Sequence, residues 1–315
     1  MTLGGGATVL VEGGEWSDAL TAALGHAAPA ERFSTCAPGE PVPADATVLV
    51  TLLRDDQAVR RLLGPAVDWV HVLAAGVDRF PFDALGTRRL TCSRGAAAGA
   101  IAEWVLAVML AFEKRLPESW VDRPPPRWNS ASLGALAGRT LGLIGVGAIG
   151  TAVARRALAF DMEIVACRRD SASAPVGGIE LVPDAAAVLA RAHHAVVAAP
   201  ATAATSGIVG EVALAAARPG LHLVNVARGS LVDQGALRAA LDDGRVARAS
   251  LDTVEPEPLP AGHWLYSHPG VRLSPHVSWH APDTTARTVA LFVENLARYR
   301  RGEELAGAVD PGRGY

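Results

Sequence analysis

Short apolar runs alternate along the chain with segments whose apolar residues recur at helical spacing. In the first third of the chain this pattern predicts three strands and three helices. The predicted strands span residues 7–11, 46–52 and 69–73, and the predicted helices span residues 16–24, 55–63 and 99–116. Such alternation is typical of parallel sheets that are covered by helices.

A second series follows three consecutive prolines at 124–126, which predict a loop because proline cannot continue a helix or enter a central strand. Its strands are predicted at residues 140–145, 163–166, 195–199, 221–226, 247–251 and 271–273. Two series of this size predict an α/β protein with two doubly wound parallel-sheet domains. A last helix, with Asp283 as its N-cap, is predicted to run toward Arg300, and its apolar face must pack against one of the two domains.

The composition agrees with a large folded protein. Of its 315 residues, 50% are apolar and 19% are charged, so the chain can bury the cores of two domains. Its 29 basic and 32 acidic residues give a formal net charge of −3, which provides no attraction to nucleic acid or to an anionic membrane. The most apolar segment, residues 104–112, is shorter than the roughly 20 residues that cross a bilayer. We therefore expect neither nucleic acid nor a membrane as a partner.

The three cysteines, Cys36, Cys92 and Cys167, are far apart and form no CxxC pair. This pattern argues against a disulfide framework and a zinc site, so we expect no metal. The first residues lack the basic and apolar stretches of a signal peptide. Both observations favour a reducing compartment, and we expect a cytoplasmic protein.

Residues 141–150 read LGLIGVGAIG, an apolar strand that runs into a GxGxxG motif and then into a helix-forming segment. In a dinucleotide-binding turn Gly145 makes the tight turn, Gly147 lets the backbone approach a pyrophosphate, and Gly150 lets helix and strand pack closely. The helix N-terminus adds amide donors and a partial positive charge. Because strand and helix are both predicted around the motif, we interpret it as a dinucleotide site.

The next predicted strand ends in Arg168 and Arg169, and Arg168 follows Gly150 by 18 residues. An NAD site usually places an acidic residue near this position, whereas an arginine accommodates the 2′-phosphate of NADP. We therefore expect NADP(H) to be preferred. Two solvated arginines with NAD(H) as a possible cofactor are the alternative.

Three segments carry polar groups at the ends of predicted strands, where ligands bind in an open α/β sheet. They are NVARG at 225–229, LDTVEPEP at 251–258 and SPHV at 274–277. Following a GVGAIG loop in this order, they resemble the D-2-hydroxyacid dehydrogenases. The resemblance extends over nearly the whole chain and includes AGVD at 75–78, Ala102-Glu103, and VDPGRGY at 309–315.

The resemblance implies a Rossmann cofactor domain, residues 99–283, inserted into a flavodoxin-like substrate domain formed by residues 1–98 and 284–315. It also implies an NAD(P)-dependent oxidoreductase that reduces a small 2-oxo acid, such as glyoxylate or hydroxypyruvate, to the D-2-hydroxy acid. The helix with Glu103 and Trp104 resembles the family's dimerisation element, so we expect a homodimer, although its apolar residues fit an ordinary core equally well.

The resemblance also implies the catalytic residues. Arg228 would grip the carboxylate and the carbonyl oxygen of the substrate with its fork of donors. His276 would protonate that oxygen as hydride arrives, and Glu257 would hydrogen-bond the imidazole. Glu255 competes for the glutamate role, but the spacing from Asp252 to Glu257 is the one found in the family. His193-His194 opens a strand, and we interpret that pair as structural.

Backbone N–H groups of Gly76 and Val77 would bind the substrate carboxylate, which places the reaction between the two domains. In the same comparison Pro200 and Thr205 lie along the adenine and Asp252 near the nicotinamide carboxamide. The full set of expected cofactor contacts is Gly145, Gly147, Ala148, Ile149, Gly150, Arg168, Arg169, Pro200, Thr205, Val226, Ala227, Arg228, Asp252, His276 and Ser278.

One departure from the family pattern follows the histidine. Where family members commonly have small residues, this chain has Val277, Ser278 and Trp279, and the indole could narrow the pocket or stack on an apolar substrate tail. Two other functions are compatible with the fold, a dinucleotide-sensing protein similar to the family's corepressors and a phosphite-oxidising relative. A formate-dehydrogenase-like oxidase pairs its histidine with glutamine, and Glu257 argues against it.

Overall fold

The computed structural model describes residues 7–14, 17–37, 40–53, 55–169 and 175–315. The chain forms two compact units. Unit 1 comprises Met1–Ala97 and Ala281–Tyr315, and unit 2 comprises Ala98–His280. Trp16, where the first predicted helix begins, lies outside the described residues.

Unit 1 contains a five-stranded parallel sheet in the order β2-β1-β3-β4-β5. Its strands are β1 (Thr8–Glu12), β2 (Arg32–Cys36), β3 (Val48–Thr51), β4 (Trp69–Val72) and β5 (Arg89–Cys92). Its helices are α1 (Ser17–Ala27), α2 (Asp56–Leu62), α3 (Phe82–Leu85) and the last helix of the chain, α9 (Thr284–Arg301). This is the strand order of a flavodoxin-like sheet.

The central strands of unit 1 are apolar because helices cover both faces of the sheet. Every residue of β3 and of β4 is buried. Helix α9 packs on one face, where the Phe292 ring stacks on Trp69 with 5.3 Å between centroids and the Tyr299 hydroxyl donates to Asp68. The apolar face of the last helix therefore packs within unit 1, a point that its helical periodicity alone left open.

Unit 2 contains a seven-stranded parallel sheet in the order β12-β11-β10-β9-β6-β7-β8. Its strands are β6 (Thr140–Ile144), β7 (Glu163–Cys167), β8 (Ile179–Leu181), β9 (His194–Val197), β10 (Leu221–Asn225), β11 (Val246–Leu251) and β12 (Val271–Leu273). Its helices are α4 (Ala98–Glu113), α5 (Ala148–Leu158), α6 (Ala185–Arg191), α7 (Glu211–Ala215) and α8 (Gln234–Asp242), with short 3₁₀ turns at Gly229–Leu231 and Trp264–Tyr266.

The strand order of unit 2 identifies where a ligand can bind. Counted within the unit, it is the Rossmann order 3-2-1-4-5-6 with one further strand, and the order reverses between β6 and β9. In open α/β sheets ligands bind outside the carboxyl ends of the strands at this point. The two parallel sheets confirm the predicted α/β fold class.

A buried chain of hydrogen bonds ties the end of α4 to three strands of unit 2. Glu113 Oε1 lies 3.0 Å from His194 Nε2, His194 Nδ1 lies 3.0 Å from His222 Nδ1, and His222 Nε2 lies 2.9 Å from Ser250 Oγ. Burial lowers the pKa of His222 well below its usual value, so this imidazole stays neutral. His194 is thus a buried structural residue, in agreement with the sequence interpretation.

The sequence pattern missed several short elements and one detail of the last helix. It did not predict strands β2, β5 and β8 or the single helical turn α3. Asp283 occupies the predicted N-cap position of α9, but its carboxylate makes no capping hydrogen bond. It accepts instead from the Arg287 side chain, with 2.8 Å between Nε and Oδ2.

Two further observations concern the surroundings of the protein. Among the helices of the described ranges, none combines the length and the apolar character needed to span a membrane. Cys36, Cys92 and Cys167 are all buried free thiols.

Candidate active site

The glycine motif forms the turn between β6 and α5, at the reversal point of the sheet. Gly145 has a φ of +98°, and a Cβ there would lie 2.6 Å from the backbone nitrogen of Ala199. A Cβ on Gly150 would lie 2.4 Å from the Gly145 carbonyl oxygen, whereas one on Gly147 would meet nothing within 4 Å. Gly145 and Gly150 thus allow close backbone packing, and Gly147 leaves space in front of the first turn of α5.

This turn has the chemistry of a pyrophosphate site. The first N–H groups of a helix have no partner within it, and the helix dipole gives them a partial positive charge. Ala148 and Ile149 begin α5, so their amides lie at that end, beside the open position of Gly147. The residues present fit a dinucleotide, which would place its phosphates on these amides.

The arginine pair lies beside the glycine turn. The carbonyl of Cys167, the last residue of β7, accepts from the Gly145 N–H at 2.9 Å, and Arg168 and Arg169 follow directly. Arg168 is half-buried and Arg169 is exposed. Burial raises the pKa of the Cys167 thiol to about 11, so the thiol carries no charge there. Two arginines therefore follow the strand end whose backbone contacts the glycine turn.

The loop after β9 runs along the other side of the glycine turn. Ala199, which lies against Gly145, precedes Pro200. The Thr205 hydroxyl donates to the Pro200 carbonyl at 2.6 Å and closes this loop. The two residues expected on the adenine side thus contact each other near the glycine turn.

Arg228 lies just beyond the carboxyl end of β10, in a loop held by a buried amide. Asn225 Nδ2 donates to the Arg228 carbonyl at 2.9 Å, and Asn225 Oδ1 accepts from the Ala227 N–H at 3.0 Å. Val226 and Ala227 are both buried, whereas Arg228 is half-buried, and its Nη1 donates to the Ala227 carbonyl at 2.8 Å. Sequence reasoning missed the role of Asn225, although a polar residue at the end of an apolar predicted strand was a signal for it.

Gly229 brings the Arg228 loop against the loop that carries the glutamates. A Cβ on Gly229 would lie 2.0 Å from the carbonyl carbon of Val254. The Gln234 side chain also donates to the Glu255 carbonyl. Only a glycine permits this approach, so the two loops form one packed structure.

The glutamate and the histidine meet as the resemblance implies. His276 Nδ1 lies 2.9 Å from Glu257 Oε2, and Glu257 Oε1 accepts from the Val254 N–H at 3.1 Å. Both side chains are partly exposed, at 39% for His276 and 31% for Glu257. The geometry brings Glu257, and not Glu255, to the imidazole.

Asp252 organises the segment of residues 274–280, which we call the His276 loop. Its carbonyl accepts from the His276 N–H at 3.0 Å. Its carboxylate accepts from the Ser274 hydroxyl, from the Val277 N–H at 2.9 Å and from the Ser278 N–H at 3.0 Å. Because Asp252 is 1% exposed and both of its oxygens bind this loop, its observed role is to hold the loop.

Gly76 and Val77 lie in unit 1, in the loop that follows β4. Val77 is buried and Gly76 is half-buried, so the backbone of this loop is partly accessible at Gly76. Within the described ranges, no three or more His, Cys, Asp or Glu side chains lie together in a way that could hold a metal ion.

Comparison with known proteins identifies the family to which the chain belongs. The family model described as "D-isomer specific 2-hydroxyacid dehydrogenase, NAD binding domain" matches residues 106–278. A glyoxylate reductase of Korarchaeum cryptofilum is 33% identical over 272 residues, which are 82% of this chain and 81% of that protein. A glyoxylate reductase of Thermofilum pendens is 30% identical over 254 residues, which are 76% of this chain and 74% of that protein.

Solved structures support the same assignment. A D-isomer specific 2-hydroxyacid dehydrogenase from Xanthobacter autotrophicus Py2, in complex with NADPH and MES, superposes with a TM-score of 0.85 and 27% identity over 99% of this chain and all of that one. The family model alone covers more than half of the present chain. The chain therefore belongs to the D-isomer specific 2-hydroxyacid dehydrogenase family of oxidoreductases, which bind a nicotinamide dinucleotide.

Proposed function

We propose that the protein uses NADPH to reduce small 2-oxo acids, of the size of glyoxylate or hydroxypyruvate, to D-2-hydroxy acids. The observation that carries this proposal is the 2.9 Å hydrogen bond between His276 Nδ1 and Glu257 Oε2, on a loop at the carboxyl edge of a dinucleotide-binding sheet. An imidazole backed by a carboxylate is suited to deliver a proton to an oxygen.

Arg228 binds the substrate in this proposal. A guanidinium offers a planar fork of donors that matches a carboxylate and also polarises the adjacent carbonyl oxygen. This role of Arg228 is supported by the conformation of its loop, which Asn225 fixes through two hydrogen bonds. Backbone N–H groups of Gly76 and Val77 supply further donors to the substrate carboxylate, the assignment that the family resemblance implies for that loop.

His276 moves the proton. The Glu257 carboxylate accepts from Nδ1–H, which fixes the ring orientation and leaves Nε2 as the atom that faces the substrate oxygen. Protonated His276 donates from Nε2 to that oxygen as it gains negative charge and keeps Nδ1–H on Glu257 throughout. In the oxidative direction Nε2 accepts the proton from the hydroxyl of the 2-hydroxy acid.

The first amides of α5 at the glycine turn would hold the phosphates of the cofactor, and Pro200 and Thr205 would lie along its adenine side. When bound, the reduced nicotinamide supplies the hydride that reaches C2 of the substrate. Arg168 and Arg169 directly follow β7, close to the position at which an NAD site usually has an acidic residue, which supports binding of a 2′-phosphate and hence a preference for NADPH. NADH is the weaker cofactor.

The proposal includes a cytoplasmic homodimer. Three buried free thiols support a reducing compartment. Large apolar side chains between α4 and β6 support an interface, since Trp120 is 72% and Trp128 is 75% exposed. Light scattering during gel filtration would distinguish a dimer from a monomer of 32.6 kDa.

The test is the consumption of reduced cofactor with a panel of 2-oxo acids, followed by chiral analysis of the product. The proposal expects turnover with glyoxylate or hydroxypyruvate, D products from substrates that create a stereocentre, and a higher kcat/KM with NADPH than with NADH. Absence of turnover with every 2-oxo acid, together with tight NADPH binding, would overturn it and favour a dinucleotide sensor. Oxidation of phosphite would identify the other alternative.

A further inference from the structure

We propose that Trp279 is a positioning residue for the reaction, whose indole N–H holds the backbone of His276 in the conformation that brings the imidazole to Glu257. This inference rests on the proposed function, in which His276 moves the proton. It assigns a role to the indole of Trp279, three residues after His276.

His276 has an unusual backbone conformation. Its φ is +55°, in the left-handed region that side chains with a Cβ rarely adopt. Five non-glycine residues in the described part of the chain have a positive φ, and His276 is the one that makes the carboxylate contact described above. A residue keeps such a conformation only when contacts around it fix the backbone.

Those contacts lie on both sides of His276. On its N-terminal side, the His276 N–H donates to the Asp252 carbonyl at 3.0 Å. On its C-terminal side, the peptide group that joins His276 to Val277 is held at both of its polar atoms. Its N–H donates to the Asp252 carboxylate at 2.9 Å, and its carbonyl oxygen accepts from Trp279 Nε1 at 3.0 Å.

The indole is therefore one of two clamps on a single peptide plane. Asp252 fixes the N–H end of that plane and Trp279 fixes the carbonyl end. Since the orientation of this plane sets ψ of His276, loss of either clamp allows the residue to relax toward an ordinary conformation. Relaxation would turn the imidazole away from Glu257.

The placement of the indole follows from the local turn. The His280 N–H donates to the Val277 carbonyl at 3.0 Å, which folds the chain back on itself. The Trp279 ring stacks on His280 with 3.6 Å between centroids and an angle of 28° between planes. With 39% of the residue exposed, Trp279 is not a core side chain, so core packing does not account for its position.

A pocket wall is the competing role for Trp279. A wall acts through the face of the ring and changes KM for bulky substrates, whereas a clamp acts through the indole N–H and changes kcat for every substrate. Trp279→Phe keeps an aromatic face on His280 and removes the N–H. Replacement of Trp279 by 3-benzothienylalanine keeps the full bicyclic shape and also removes the N–H. Trp264→Phe is the control, because it makes the same side-chain change at an indole that lies over Arg238, with 5.6 Å between the ring centroid and the guanidinium carbon.

The first measurement is amide hydrogen exchange in the intact protein, read on peptides that span residues 272–281. We expect about tenfold faster exchange at residues 276–278 in both Trp279 variants and no change in Trp264→Phe. The reason is that the hydrogen bonds protecting these amides open more often when the loop is less tightly held. Unchanged exchange in the benzothienyl protein would overturn the proposal. This measurement needs no turnover, so it decides the role of Trp279 even if no 2-oxo acid is reduced.

The second measurement is steady-state kinetics with a small and a bulky 2-oxo acid. We expect kcat to fall about tenfold for both substrates in both Trp279 variants, with KM for NADPH within about twofold of the parent. A kcat that stays at the parent value while KM changes only for the bulky substrate would show a pocket wall and would overturn the positioning role.

Discussion

His276 Nδ1 and Glu257 Oε2 lie 2.9 Å apart, although 19 residues separate them in the sequence. The contact joins two loops that follow β11 and β12, neighbouring strands whose carboxyl ends lie at one edge of the unit 2 sheet. Asp252 connects the same two loops through its carbonyl and its carboxylate. The site thus depends on parallel strand order more than on any single loop.

Glu257→Gln tests the role of the carboxylate. Gln still accepts from the imidazole but has no negative charge to stabilise the protonated ring, so we expect kcat to fall about 100-fold, within the usual range for general acid catalysis. Glu255→Gln is the matched control and should change kcat less than twofold. Steady-state rates of both variants decide the assignment, and an equal loss of kcat in the two would contradict a specific role of Glu257.

Arg168→Ser combined with Arg169→Ser tests the cofactor preference. A charge-assisted contact to a phosphate contributes about 2 kcal/mol, so we expect KM for NADPH to rise about 30-fold and KM for NADH to change less than threefold. Arg155→Ser, an exposed arginine in the last turn of α5, should alter neither value. Equal increases in KM for NADPH and for NADH would contradict recognition of the 2′-phosphate by these arginines.

Gly229→Ala tests the packing of the Arg228 loop. The added methyl group would lie 2.0 Å from the carbonyl carbon of Val254, so one loop must move. We expect the free energy of unfolding to fall by about 1–3 kcal/mol and turnover to fall with it, because overpacking displaces the backbone. Gly177→Ala, where a Cβ meets nothing within 4 Å, is the control for denaturant unfolding. Equal stability of the two variants would contradict the observed approach of the loops.

His71 makes the stability of unit 1 depend on pH. Burial lowers the pKa of its imidazole to about 3, whereas in the unfolded chain it titrates near 6.5. Its contribution is therefore complete above about pH 6.5 and decreases as pH falls from there toward about 3. At pH 5 the loss is about 2 kcal/mol by linkage.

His71→Gln should remove this part of the pH dependence, since glutamine does not titrate. The measurement compares the free energy of unfolding at neutral pH and near pH 5, where we expect the variant to lose about 2 kcal/mol less than the parent. The exposed His26 provides a control as His26→Gln, which should behave like the parent. If the variant has the same pH dependence as the parent, folding does not lower the pKa of His71, and the prediction is wrong.

Much of the fold could be predicted from the sequence because the central strands are buried on both faces and appear as uninterrupted apolar runs. The five residues of β6 and of β10 are all buried, and both strands were predicted. Strand β2 lies at a sheet edge and reads RFSTC, with polar and exposed positions that give no such signal. Strand β8 lies at the edge of the other sheet and has three residues.

The candidate site also has a part that the sequence predicts and a part that it does not. Glycines, arginine, glutamate and histidine have motif spacings that the sequence displays. The hydrogen bonds of Asn225, Asp252 and Trp279 depend on how each loop turns back after its strand, and no spacing in the sequence encodes that. The expectation for Asp252 concerned the cofactor, whereas the structure places its carboxylate on the His276 loop.

The central claim is that His276 moves the proton and contributes little to the affinity for NADPH. The most direct test measures NADPH affinity and turnover in the parent and in His276→Asn, with the same protein and the same 2-oxo acid. We predict NADPH affinity within about twofold of the parent and a kcat at least about 100-fold lower, the loss expected for a general acid. Parent-like turnover in His276→Asn, or loss of NADPH binding in place of turnover, would contradict the account.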